Sequence, residues 1–192
     1  MGGSWMLVTN YQQYKGVLFV FGHGEGDPGC VYQKETEAEM IRRLKPHLIK
    51  WGKTLAVPVT CYPRNLYYHA NDLKEYQDWI VVELHLDAAR IPGKGGHVII
   101  HQWFKPDAID KNLITVIDQH FNLVTRTSKG LSCRKDLKNC NIAAQYGINY
   151  RLVELFFLAD KQDRMYYLNH LDDIAKTIVQ AISGQKDCRC VD

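Results

Sequence analysis

Short apolar runs alternate along this chain with segments whose apolar residues recur at helical spacing, and this alternation restricts the fold most. The runs that predict strands are residues 17–21, 55–61, 79–84, 97–103 and 151–158. Strands that alternate with helices are typical of an α/β fold, because the helices cover both faces of a mainly parallel sheet. We expect one α/β domain with a mixed, mainly parallel, twisted sheet of five or six strands and helices on both faces.

Helix start signals occur three times, and they are the capping box of Thr36 and Glu39, Pro106, and Asp160. Pro46 is expected to kink or shorten the first of these helices. The third helix should end at Gly184. Residues 71–76 favour a short helix, whereas residues 125–148 are polar and basic and give no clear pattern.

Length and charge exclude several classes of protein. A chain of 192 residues has the usual length of one domain. Its formal net charge of +3 argues against a protein that binds nucleic acid mainly through electrostatics. No apolar run approaches the ~20 residues that a membrane span requires. We expect neither nucleic-acid binding nor membrane insertion, and the sequence leaves the oligomeric state open.

The six cysteines are scattered and include no CxxC pair; they are Cys30, Cys61, Cys133, Cys140, Cys188 and Cys190. The N-terminus lacks the charged and apolar segments of a secretion signal. We therefore expect free thiols rather than disulfides. Cys188 and Cys190 could bind a metal, but we interpret them as part of a flexible tail over residues 185–192.

Three polar residues lie in or directly after apolar runs. His23 follows the first run on a glycine-rich loop, His85 ends the run at 79–84, and Glu154 lies inside the last run. Buried polar groups are costly unless they are used, and ligands of open α/β sheets bind at the ends of strands. Two imidazoles and a carboxylate are ligands that a catalytic zinc takes, with one position open for water. The pattern predicts a zinc hydrolase site.

The third ligand is ambiguous from the residues alone. Glu35, Glu37 and Glu39 are all candidates, but Glu39 has a capping role. Glu37 lies in the first helical turn, where a carboxylate is also favoured by the helix dipole. It is therefore either a ligand or a helix-start charge. His97 is a spare ligand candidate, and we interpret the remaining histidines as surface or packing residues.

Glu154 is flanked by apolar residues on both faces of its strand. Desolvation there should raise its pKa toward the values that suit a general base.

Residues 24–29 also match the GxGxxG pattern of dinucleotide-binding proteins. Three features argue against that reading. Glu25 and Asp27 would face an anionic pyrophosphate, Pro28 restricts the backbone between the glycines, and the next helix begins only near Thr36.

Three motifs together resemble the zinc-dependent N-acetylmuramoyl-L-alanine amidases of the amidase-3 family, in particular the catalytic domains of phage endolysins. They are Gly22-His-Gly-Glu-Gly-Asp-Pro-Gly-Cys30, Glu83-Leu-His-Leu-Asp-Ala88 and Val153-Glu-Leu-Phe-Phe-Leu158. In that family the metal-binding glutamate follows the first histidine by about fourteen residues, which selects Glu37. The family usually has alanine where this chain has Cys30, which places a thiol near the metal. Residues 125–148 do not align, so the substrate-binding residues are unknown.

The resemblance implies one zinc ion held by His23, Glu37 and His85, with Glu154 as the catalytic proton acceptor and donor. The implied reaction cleaves the amide between N-acetylmuramic acid and L-alanine in bacterial peptidoglycan. It implies a bacteriolytic enzyme made in the host cytoplasm without a signal peptide and acting later at the cell wall. The expected organisation is a lead-in over 1–16, a catalytic domain over 17–184 and the tail. Alternatives are a zinc peptidase or other amide hydrolase, or a non-catalytic wall-binding module.

Overall fold

The computed structural model describes residues 6–88, 93–124, 127 and 129–185. These residues form a six-stranded sheet with the strand order β4-β1-β5-β8-β6-β7 and a separate two-stranded ribbon of β2 and β3. The strands are β1 Gly16–Phe21, β2 Val31–Tyr32, β3 Glu35–Thr36, β4 Val59–Cys61, β5 Trp79–Asp87, β6 His97–His101, β7 Leu131–Arg134 and β8 Asn149–Phe157. Strands β4, β1, β5 and β8 are parallel, whereas β6 runs antiparallel to β8 and pairs in parallel with β7.

The described helices are α1 Glu37–Arg42, α2 Lys45–Thr54, α3 Ala108–Phe121, α4 Lys138–Gln145, α5 Lys161–Asn169 and α6 Leu171–Ser183, with 3-10 helices at Tyr11–Gln13 and Ala70–Tyr76. One face of the sheet packs against α1, α2, α3, α5 and α6, which form the larger hydrophobic core. The other face packs against α4 and the 3-10 helix Ala70–Tyr76. The predicted α/β fold, with a mainly parallel sheet of six strands and helices on both faces, is confirmed.

Alternation within the strands produces this two-sided core. In β1, Val17 and Phe19 face the larger core while Leu18 and Val20 face the smaller one, and all four are fully buried. Burying one such side chain stabilises the fold by about 1.5–3 kcal/mol. Both faces of the central strands are therefore apolar, and any polar side chain among them is desolvated.

The helix predicted from Thr36 is divided in two. Helix α1 begins after Thr36, whose hydroxyl accepts a hydrogen bond from the Glu39 backbone N–H at 3.2 Å. It ends at Arg42, and α2 begins at Lys45 with Pro46 in its first turn. Proline is tolerated there because a first-turn N–H has no partner inside the helix. The effect of Pro46 is therefore to shorten the helix, as the sequence predicted.

Two other element predictions were wrong in extent. The strand predicted over 55–61 covers only Val59–Cys61, because α2 continues to Thr54 and a turn with Ala56 at φ +54° follows it. That short strand lies at the sheet edge. The helix predicted from Asp160 to Gly184 is two helices. The His170 ring donates to the Tyr166 carbonyl at 2.8 Å. This carbonyl is the acceptor that the backbone N–H of His170 would use in a continuous helix, so α5 ends here.

Residues 131–145, which the sequence left unassigned, contain β7 and α4. Among the described strands, β7 pairs with β6 alone, more than thirty positions earlier, so the local sequence gives little indication of β7.

Helix α3 begins two residues after Pro106, with Asp107 as its N-cap and Asp110 completing a capping box. Both carboxylates also accept hydrogen bonds from Arg151 of β8, at 3.1 and 2.9 Å, and the Arg151 side chain is almost fully buried.

No described helix has both the length and the apolar character needed to cross a bilayer.

Candidate metal centre

The first candidate ligand lies two residues after the end of β1. His23 adopts a left-handed backbone conformation with φ at 62°, which is uncommon for any residue other than glycine. The guanidinium of Arg42 holds this turn, because it donates to the carbonyl of Gly22 at 3.0 Å and to that of His23 at 2.6 Å. Helix α1 therefore fixes the point at which the histidine leaves the sheet.

Glu37 is the first residue of α1 and has only 3% of its surface exposed. Its Oε1 lies 2.8 Å from His85 Nδ1, and its Oε2 lies 3.1 Å from His23 Nε2. The backbone N–H groups of Cys30 and Leu86 donate to the same carboxylate at 3.1 and 3.0 Å. The three side chains that the sequence singled out as metal ligands thus converge, with ligand atoms all within 4.8 Å of one another.

Two glycines leave the space for this convergence. A Cβ on Gly22 would lie 2.2 Å from the His85 ring, and one on Gly29 would lie 2.5 Å from the His23 ring and 2.7 Å from Glu37 Oε2. All three distances are far below a normal contact. The imidazoles can approach the carboxylate only because these positions have no side chain.

Each histidine has a second carboxylate on its other ring nitrogen. Asp27 Oδ2 lies 2.8 Å from His23 Nδ1, and Glu83 Oε1 lies 2.9 Å from His85 Nε2. Such partners fix the ring orientation and tautomer of metal-binding histidines. Both carboxylates lie within the sequence motifs, but neither was predicted to have this role.

The charges around the cluster shift the pKa values of its members. Burial opposes a charged imidazole, yet hydrogen bonds to Glu37 and Asp27 raise the pKa of His23, and those to Glu37 and Glu83 raise the pKa of His85 well above its ordinary value. Burial also opposes the charged form of Glu37 and by itself would raise the pKa of this carboxyl. Hydrogen bonds to the two histidines outweigh burial and lower the pKa. The carboxylate is therefore ionised at neutral pH and suited to a cation.

Glu154 lies beside this cluster on the neighbouring strand, where it is the register partner of His85. Burial, followed by the nearby charges of Asp87 and Glu37, raises the pKa of Glu154 to about 8, although His85 opposes the shift. Its Oε2 is buried and has no hydrogen-bond partner among the described residues. A carboxylate with this pKa can exchange a proton near neutral pH.

Other residues considered from the sequence lie outside the cluster. Glu35, the alternative ligand, forms an ion pair with Arg164 at 2.9 Å. His97, the spare ligand, has its Nδ1 3.7 Å from Asp87 Oδ2.

The Cys30 thiol donates to the Leu86 carbonyl at 3.7 Å, and burial together with the charge of Glu37 raises its pKa to about 12. This thiol stays neutral and does not belong to the group of convergent ligand atoms. Cys30, Cys61, Cys133 and Cys140 are free thiols. Cys188 and Cys190, with the rest of the predicted tail beyond Gln185, lie outside the described residues.

A cavity of about 330 Å³ opens onto His23 and His85. Its walls include Tyr67, Leu152 and residues 136–139, which lead into and begin α4. Lys138 stands at the wall, where its ammonium group donates to the Tyr67 carbonyl at 2.6 Å. Leu152 belongs to the predicted strand that carries Glu154, whereas Tyr67 and residues 136–139 come from segments that were not predicted to contribute to the site.

The donor set fits a divalent metal. Two imidazoles and one carboxylate form a ligand set of catalytic zinc sites, the glycines leave room for the ligands to converge, and a carboxylate of raised pKa lies next to them. This arrangement can hold a Lewis acid beside a proton acceptor, and metal-assisted hydrolysis requires both groups.

The sequence profile of the Amidase_3 family, described as N-acetylmuramoyl-L-alanine amidase, matches residues 17–184. The chain belongs to this amidase family. The resemblance to the amidase-3 family that the three motifs carry is therefore confirmed.

This amidase-family chain is 34% identical to the probable autolysin PH of Staphylococcus aureus, in an alignment that covers 89% of the chain. It spans only 39% of the length of that autolysin.

Solved amidase structures share the fold. The N-acetylmuramoyl-L-alanine amidase of Clostridium difficile 630 matches with a TM-score of 0.70 and 16% identity, covering 90% of this chain and 97% of that one. The Ami1 amidase of Mycobacterium abscessus matches with a TM-score of 0.69 and 18% identity, over 89% and 98%. The catalytic domain of the CD27L endolysin, which targets Clostridium difficile, matches with a TM-score of 0.60 and 21% identity, over 88% and 97%.

Proposed function

We propose that this chain is a zinc-dependent, endolysin-type amidase that cleaves the bond between the lactyl group of N-acetylmuramic acid and L-alanine in peptidoglycan. The observation that carries the proposal is the convergence of His23, Glu37 and His85 next to Glu154 at one end of the sheet. Membership of the amidase family supports the choice of bond. Similarity to an autolysin and to an endolysin domain supports the bacterial wall as substrate.

In this proposal His23, Glu37 and His85 hold the zinc ion. When bound, zinc supplies a Lewis acid that polarises the scissile carbonyl and lowers the pKa of water. Glu154 accepts the proton of the attacking water and returns it to the leaving amine of L-alanine. Its buried Oε2 has no hydrogen-bond partner among the described residues, which leaves this oxygen available to take the proton.

The cavity beside the histidines is the proposed site for the substrate chain. Its position next to His23 and His85 would bring a bound amide to the metal centre. Leu137 and Leu152 offer apolar walls, and Lys138 offers a cation at the rim. The binding of substrate there also displaces water, which strengthens the electrostatic interactions of the reacting groups.

Digestion of purified peptidoglycan by the zinc-loaded protein tests the proposal, with the new ends identified by mass spectrometry. We expect stem peptides with free L-alanine amino termini. Zinc-loaded Glu154→Gln protein is the matched control and should release almost none. Ends within the stem peptide would indicate a peptidase, new reducing sugars a glycosidase, and binding without cleavage a wall-binding module. Each of these outcomes contradicts the amidase proposal.

A further inference from the structure

Glu83 is a carboxylate in the middle of β5, where the residues directly before and after it, Val82 and Leu84, are apolar. It lies two residues before His85, and only 4% of its surface is exposed. A desolvated carboxylate costs several kcal/mol unless hydrogen bonds compensate for the lost water. Its contacts therefore indicate what the residue is used for.

The Glu83 carboxylate accepts hydrogen bonds from three side chains on three elements. Tyr150 of β8 donates its hydroxyl to Oε2 at 2.6 Å, and the Asn139 amide of α4 donates to both oxygens at 3.0–3.1 Å. The third contact is the His85 ring, 2.9 Å from Oε1. Tyr150 and Asn139 are themselves buried, so the carboxylate is held in one position.

Contacts at both ring nitrogens and at one ring edge restrict the orientation of the His85 imidazole. Nε2 faces Glu83, Nδ1 faces Glu37, and the edge of the ring lies where a Cβ on Gly22 would be. Turning the ring over would place carbon atoms against both carboxylates. Once Nδ1 gives up its proton, Nε2–H still donates to Glu83, and the lone pair of Nδ1 is free for a metal ion.

We propose that Glu83, held in place by Tyr150 and Asn139, is a positioning residue that fixes the His85 imidazole with Nδ1 directed into the metal centre. This assignment rests on the proposed zinc site. It also connects that site to α4, because Asn139 adjoins Lys138 at the wall of the substrate cavity. Partners of this kind typically change metal affinity by about 10–100-fold.

The test measures the zinc dissociation constant at one fixed pH, by competition with a chromophoric chelator. Glu83→Gln keeps the shape of the side chain but not its charge, and we expect zinc binding about 10–100-fold weaker. Tyr150→Phe removes one hydrogen bond to Glu83 and should weaken zinc binding by a smaller factor. This second variant keeps the core filled, so it serves if Glu83→Gln does not fold.

The matched control is Asp110→Asn, which alters a buried carboxylate bonded to Arg151 and distant in the sequence from every proposed ligand. It should lower the free energy of unfolding and leave zinc affinity unchanged, so that loss of affinity is separated from loss of stability. Wild-type zinc affinity in both Glu83→Gln and Tyr150→Phe would overturn the positioning role while leaving the metal centre intact. A wild-type protein that binds no zinc would overturn the metal centre itself, and the positioning role with it.

Discussion

At the scale of single residues, the proposed ligands and the proposed proton acceptor should separate by metal content. Glu154→Gln is nearly isosteric but cannot accept a proton, so turnover should fall by about 10²–10⁴ while the fold and bound zinc remain. His85→Ala should lose zinc as well as activity, because two ligands hold the metal poorly. Zinc analysis and peptidoglycan digestion on the same preparations check both expectations. A Glu154→Gln enzyme with near wild-type turnover would remove Glu154 from the mechanism.

The raised pKa of Glu154 also has a consequence for stability. Between its ordinary value of 4.5 and about 8, folded Glu154 keeps a proton that the unfolded chain has released. The free energy of unfolding therefore falls as pH rises from 4.5 to about 8, because ionisation of Glu154 is less favourable in the folded state. Above that range the whole of this loss is present. Metal-free Glu154→Gln should be more stable than the metal-free wild type above pH 8, by roughly 2 kcal/mol after allowance for partial exposure.

Denaturant titrations of both metal-free proteins at several pH values provide the measurement. The difference between them should shrink toward zero as pH falls below 4.5, because wild-type Glu154 is then protonated in both states. An advantage of Glu154→Gln that stays constant with pH would show that the Glu154 charge is not its cause.

The sequence indicated three of the four main site residues because each breaks a local pattern, whereas Glu37 was selected only by the resemblance to the amidase-3 family. His23 and His85 follow apolar runs, and Glu154 interrupts one. Glu83 interrupts an apolar run in the same way, so the same reasoning could have identified it. Residues 125–148 gave no such signal, and neither the role of Asn139 nor the cavity wall could be predicted, because both depend on where α4 packs.

At the scale of elements, buried Arg151 ties the start of β8 to the start of α3 through Asp107 and Asp110. Replacing Arg151 with leucine leaves two carboxylates without their cation, one of them deeply buried. We expect the free energy of unfolding to fall by roughly 3–5 kcal/mol. Zinc affinity should be unchanged, because the Arg151 side chain bonds Asp107, Asp110 and Asn149 and neither a proposed ligand nor Glu83. Denaturant unfolding and a zinc titration measure the two effects, and a stability equal to that of the wild type would contradict this account.

Elements were predictable where their signals are local. Helix starts at Thr36 and Asp160 follow from side-chain caps, and the central strands follow from their apolar runs. Strand β7 depends on a partner more than thirty residues away, and the break at His170 depends on a ring-to-carbonyl hydrogen bond. Neither cause is visible in the periodicity of the sequence.

At the scale of the whole molecule, zinc should stabilise the fold, because the proposed ligands come from β5, α1 and the loop after β1. Binding to the folded state alone contributes about 2.7 kcal/mol at a free zinc concentration one hundred times the dissociation constant. For a chain of this size that corresponds to an increase in Tm of roughly 5–10 °C. The Tm of His85→Ala should show almost no increase with zinc. A wild-type Tm that does not change when zinc is added would contradict the prediction.

Anomalous diffraction at the zinc absorption edge, from crystals of zinc-loaded Glu154→Gln protein, tests the metal centre most directly. We expect one zinc ion roughly 2.0–2.2 Å from His23 Nε2, His85 Nδ1 and a carboxylate oxygen of Glu37, with one coordination position open. Zinc bound by Cys188 and Cys190, or a Glu37 turned to solvent with Glu35 in its place, would contradict this expectation.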